Sequence, residues 1–309
     1  AMGRGGMQFM LIIWLQGIWL PLHGYSFDRT PLWAGIYLVP LTVGFLLAAP
    51  LSGILSDKFG AKPFTVGGAL LTGATFLMLI FVPVDFAYWE FALVIALNGF
   101  GSGLFFSPNW AEMMNSVPAS QRGAAGGMIA TFQNSAFVLS IGIFFTLMVA
   151  GLASQLPAAM LNGLTAQGVP AATAAPISHL PPIGVLFASF LGYNPMQQLL
   201  GPLLHQLNPV NAAYVAGREF FPHLITAPFH DGLRVAFGFA IAACVIAAIA
   251  SALTGRRPSA PAAPESLGYE LAAVAGEGGF EPSELVVPDV VPNASGEGAE
   301  LPGKPADPD

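Results

Sequence analysis

The sequence predicts an all-α membrane protein with six transmembrane helices and a disordered tail. Two observations carry the prediction. Of 309 residues, 54% are hydrophobic and 9% charged, whereas a soluble domain carries about 25% charged residues. The apolar residues also gather into runs as long as a bilayer-crossing helix needs, about 20 residues. Together they exclude an ordinary soluble enzyme.

The runs lie at about 7–26, 32–55, 63–83, 88–110, 123–151 and 232–254. Gly and Pro punctuate them, as at Pro21, Pro40 and Pro50; membrane helices tolerate this because neighbours satisfy the freed backbone groups. Gly99-x-Gly101-x-Gly103 lacks the strand-to-helix setting of a nucleotide loop and reads as a close helix contact. The connection 152–231 is apolar and rich in proline, from Pro157 to Pro222, so short interfacial or re-entrant helices are expected there. Residues 256–309 read as a disordered, acidic, Pro-rich cytoplasmic tail: the stretch from Pro258 onward holds ten acids, nine prolines and one lysine, Lys304.

Lysine and arginine fix the expected orientation. Lys58 and Lys62 follow the second run, Arg122 precedes the fifth, and Arg256 and Arg257 follow the sixth, all on one side if the chain alternates. Asp28, Asp85 and Glu90 fall on the other side. A multi-pass protein of the cell (inner) membrane with both termini cytoplasmic is therefore expected. The charge pattern offers no basic field for nucleic acid, and the single Cys244 and the scattered five His offer no metal site. No catalytic triad, phosphate loop or paired acid site occurs, so neither an enzyme nor a cofactor is expected.

Between the second and third runs the chain reads Gly53-Ile-Leu55-Ser56-Asp57-Lys58-Phe-Gly60-Ala-Lys62-Pro63. Gly53 permits close helix approach, Gly60 a turn at positive φ, and Asp57 can accept hydrogen bonds from a helix N-terminus while Lys58 and Lys62 hold the loop inside. The stretch resembles the signature loop of the major facilitator superfamily, Gly-x-Leu-Ala-Asp-Arg-x-Gly-Arg-Lys. Trp14-Leu-Gln16-Gly17-Ile-Trp19-Leu-Pro21 with Thr30-Pro31-Leu-Trp33-Ala-Gly35 is similar to the seventh-to-eighth-helix region of that fold. Ser107-Pro108-Asn109 with Gln121-Arg122-Gly123 and Gly126 is similar to the approach to its penultimate helix. Over about 1–255 the resemblance points to the fourteen-span drug:proton antiporter-2 group. It implies one half of a major facilitator fold, the C-terminal six-helix half. It also implies proton-coupled efflux of amphipathic drugs or other small molecules by alternating access, with the N-terminal half as partner in the lipid bilayer. The competing expectation is a truncated, non-transporting six-helix protein that must assemble with another half.

Few intramembrane residues could carry chemistry. Glu112, near the inner end of the fourth run, reads either as a proton or charge site or as a partner of Arg122. Arg4 reads as snorkelling from the inner end of the first run. The amides Gln8, Gln16, Asn98, Asn109, Gln133 and Asn134 have two readings: hydrogen bonds between helices, or the lining of a substrate cavity with Trp14, Trp19, Tyr37, Phe132 and Phe137.

Overall fold

The computed structural model describes residues 3–83, 86–191 and 194–253. Expectations for Asp85, the Arg256-Arg257 pair and the tail therefore lie outside the described residues. Six helices are long and apolar enough to cross a membrane: α1 Arg4–Leu22, α2 Thr30–Phe59, α3 Ala61–Phe81, α4 Tyr88–Asn115, α5 Arg122–Ala166 and α6 Phe220–Leu253. Among the described residues there is no strand.

The bundle is built by neighbours that need not be adjacent in sequence. α2 packs along α4, α4 along α3, α3 along α6, α6 along α5, and α5 along α1. α1 is the most enclosed of the six. Met7, Met10, Leu11, Ile13, Trp14 and Ile18 leave its faces apolar nearly all round, as a helix surrounded by others requires. It carries a π turn at Leu15–Trp19. The glycines of α4 serve two partners. A methyl at Gly99 would collide with the Leu41 carbonyl of α2, and one at Gly103 would lie 2.8 Å from the Phe45 oxygen of α2. One at Gly101 would lie 2.8 Å from Thr72 Oγ1 of α3. Alternating glycines thus let one helix approach two others at backbone distance.

Two helices run further than their apolar segments predict. The fifth was expected to end at 151; α5 continues to Ala166, 45 residues in all, about 67 Å and more than twice a bilayer core of about 30 Å. α6 begins at Phe220, twelve residues before the expected 232. Pro157 and Pro222 were expected to divide helices, yet Pro157 lies inside α5 and Pro222 sits in the first turn of α6, where proline is tolerated. Leu156 and Met160, on either side of Pro157, are fully buried, so packing holds the helix together where propensity would break it. The connection proper is 167–219, with short helices at Ala171–Ser178, Pro182–Phe190, Met196–Leu200 and Pro209–Ala216. The first two meet at 89°, the bend of a re-entrant segment or a broken span.

Candidate functional site

The structure places the expected site residues in three settings. The motif turn is at one end of the bundle. Gly60 adopts φ +82° between α2 and α3, the left-handed region that favours glycine, and its N–H donates to the Ser56 carbonyl at 2.8 Å. A methyl at Gly53 would lie 3.1 Å from Ser107 Oγ of α4. Asp57 and Lys58 are exposed and Lys62 half-buried. No hydrogen bond or ion pair reaches Asp57 among the described residues. At the same end the expected Glu112–Arg122 pair is not formed: Glu112 is exposed, and Arg122 Nε is buried without a partner.

The opposite end holds an aromatic cluster. Trp19 stacks on Phe86 with ring centroids 5.1 Å apart, and its Nε1–H donates to the Phe86 carbonyl at 3.2 Å. His23 stacks on Trp19 at 3.8 Å, and its Nδ1 lies 2.8 Å from the Trp19 carbonyl oxygen. Tyr37 meets Trp19 edge-on, and the Tyr25 and Tyr37 hydroxyls are 2.7 Å apart. Trp14, expected on a cavity, is instead a core residue at 0% exposure, edge-on to Phe86 and Phe91. Its bulk is better spent on apolar burial, though Nε1 is left without a partner. Gln16 turns toward the long connection and donates to the Phe190 carbonyl at 3.4 Å.

The third setting is the middle of the bundle, where sequence reasoning missed most. Asn98 is 1% exposed and donates from Nδ2 to Thr75 Oγ1 of α3 at 2.7 Å, a bond between helices. It also borders a small recess shared by α1, α2 and α4, lined by Arg4, Gln8, Thr42, Phe45 and Ser102. The guanidinium of Arg4 sits 4.7 Å from the Phe45 ring centroid. Phe45 is midway along α2, about 22 Å from Thr30 and about 21 Å from Phe59. Ser102 is likewise midway along α4, about 21 Å from Tyr88 and about 20 Å from Asn115. Arg4, the first residue of α1, is thus level with the middles of α2 and α4. At the centre of a membrane-spanning helix an arginine facing lipid costs about 3 kcal/mol on the insertion scale.

Gln133 is half-buried, Asn134 and Phe132 are exposed, and Asn109 is half-buried. None of these three amides makes a hydrogen bond among the described residues. On α5, Phe137 abuts Gly5 of α1, so Gln133, one turn away, reaches nearly the same depth as Arg4. A larger recess of about 230 Å³ opens beside the long connection, lined by Phe27, Ser189, Asn194, Gln197, Arg218 and Phe221. Its amides are already committed to backbone: Asn194 donates to the Val215 and Gly217 carbonyls and Gln197 to that of Ala216. That recess is a fastened seam.

Six helices long and apolar enough to cross a bilayer define a multi-pass helical membrane protein. Residues 4–141 match the model of the Major Facilitator Superfamily. That stretch belongs to the superfamily, and its relatives include drug-efflux members. It is 34% identical over 112 residues to the uncharacterized MFS-type transporter YhcA of Bacillus subtilis, covering 36% of this chain and 20% of that protein. It is 27% identical over 117 residues to the riboflavin transporter RibZ of Clostridioides difficile, covering 38% and 26%. It is 31% identical over 127 residues to the multi-drug resistance efflux pump PmrA of Streptococcus pneumoniae, covering 41% and 31%. The chain thus spans less than a third of the length of these relatives.

Proposed function

We propose that this chain is one helical bundle of a proton-coupled efflux transporter for amphipathic small molecules, working by alternating access against a second bundle. The observation that carries this reading is the polar mid-depth face. Arg4, Thr42 and Asn134 are exposed at or near half depth and Gln133 half-exposed, groups that are costly against lipid and suited to a wetted path between two bundles. The drug-efflux and riboflavin-transporter names of relatives support export or import of small organic molecules. In this reading the Gly60 turn, with Lys58 and Lys62, faces the cytoplasm of the inner membrane.

The test is transport by the complete protein expressed from its own reading frame. Reconstituted in proteoliposomes, it should move rhodamine 6G against its gradient when a proton gradient is imposed, and stop when the gradient is collapsed. Dye movement no faster than in empty liposomes would reject the reading. A cysteine at Ser154 should react with an impermeant maleimide added to intact cells, and one at Lys62 should not; the reverse pattern would invert the topology.

A further inference from the structure

We propose that the recess around Arg4 is an intramembrane oxyanion site, taking the carboxylate of an acidic amphipathic substrate. The inference rests on the transport reading for its role and on the recess for its chemistry. Every uncommitted group there can donate. Arg4 presents a planar guanidinium with five N–H groups that stays charged. Gln8, Thr42 and Ser102 make no hydrogen bond among the described residues. That is informative for the hydroxyls, because those of Ser52, Ser56, Thr65, Thr72 and Thr75 turn back on a carbonyl of the preceding turn. The Asn98 amide is held by Thr75 at its Nδ2 and so is fixed at the wall.

No carboxylate lines the recess, and no ion pair neutralises Arg4 among the described residues. Phe45 fixes one face of the guanidinium by cation–π contact and leaves the N–H edge free for bidentate pairing. The free volume is about 30 Å³, enough for a carboxylate-sized group or a water, since one water needs about 10–15 Å³. A whole drug cannot enter. Its acidic head would, with the apolar body left outside the recess.

The test uses the complete protein in phosphatidylcholine nanodiscs and two dyes with one xanthene core: fluorescein, which carries a carboxylate, and rhodamine 6G, a cation whose carboxyl is esterified. Binding is read by fluorescence polarisation for wild type, Arg4→Gln and Arg4→Lys. The expected result is a fluorescein Kd raised at least tenfold in Arg4→Gln and less than about fivefold in Arg4→Lys, with rhodamine 6G changed less than twofold. Fluorescein affinity unchanged in Arg4→Gln, or both dyes weakened alike with no rescue by lysine, would overturn the site. Repeating the titration with phosphatidylglycerol in the discs separates the sources of oxyanion. Competition lost in Arg4→Gln assigns the site to a lipid phosphate, and no competition assigns it to a soluble acid. Arg4-dependent fluorescein binding without gradient-driven export would leave the site standing and remove the transport reading. Export of rhodamine 6G with fluorescein binding insensitive to Arg4 would do the opposite.

Discussion

Gly99 and Gly142 are both helical glycines, but they differ in what surrounds them. A methyl at Gly99 meets the Leu41 carbonyl of α2, a rigid backbone atom, whereas one at Gly142 meets nothing within 4 Å. Gly99→Ala must push α2 and α4 apart along their whole contact, so it should destabilise the bundle by about 3 kcal/mol or more. Gly142→Ala should be neutral or slightly stabilising, because alanine is the better helix former by about 1 kcal/mol. Thermal unfolding of the two variants in one detergent checks the contrast, and equal melting temperatures would contradict it. Asn98 makes a smaller claim. Its bond to Thr75 joins α4 to α3, and such bonds between membrane helices are worth about 0.6 kcal/mol on average. Asn98→Ala should therefore cost about 1 kcal/mol, and Asn98→Ala with Thr75→Ala scarcely more than the single change.

At the level of elements, the feature that ties the long connection to the bundle is the π turn of α1. Pro21, four residues on, has no N–H to give the Gly17 carbonyl, and beside the π turn that carbonyl accepts a 2.7 Å hydrogen bond from Ser189 Oγ, both groups buried. A methyl at Gly17 would lie 3.1 Å from that oxygen, tight enough to crowd the close approach of the helix Pro182–Phe190. Ser189→Ala leaves the carbonyl unsatisfied and should cost about 1–3 kcal/mol. Its first sign should be faster protease cleavage within 167–219, measured against wild type; an unchanged rate would mean that the latch does not hold the connection. Pro21 marks the Gly17 carbonyl as lacking its helical donor, but neither the π turn nor the serine that meets it was legible in the sequence. α1 is apolar on nearly every face, so no change of periodicity marks residues 15–19, and Ser189 is one serine among many. The six spans were legible because bilayer thickness sets their length, and the packing role of 99–103 because small residues at that spacing have one main use in membranes. The extra turns of α5 were hidden, since 152–166 is as apolar as what precedes it and Pro157 reads as a break. Trp14 was misplaced because an aromatic in an apolar helix suits a core and a cavity equally.

For the molecule as a whole, the motif turn and the polar mid-depth face raise one question: what do their unpaired groups meet? Asp57 is exposed, with no hydrogen bond among the described residues, although the turn around it is well made. The turn does not need the carboxylate, because Gly60 closes it with a backbone bond to Ser56. Among the described residues the Asp57 carboxylate makes no hydrogen bond or ion pair, so its charge is available to a group on another bundle, such as a helix N-terminus, worth about 0.3–1 kcal/mol when exposed and up to about 2 when partly buried. The consequence separates two measurements. In this chain alone, Asp57→Asn should leave the melting temperature within about 0.5 kcal/mol of wild type in stability, as a surface change does. In the complete protein the same substitution should slow dye export severalfold with membrane abundance unchanged, because an interaction made in only one of two conformations biases their equilibrium by its full strength. Abundance read by immunoblot and export read in the same vesicles give both numbers. Loss of the protein from the membrane would place Asp57 in folding, and unchanged export would remove it from the conformational cycle.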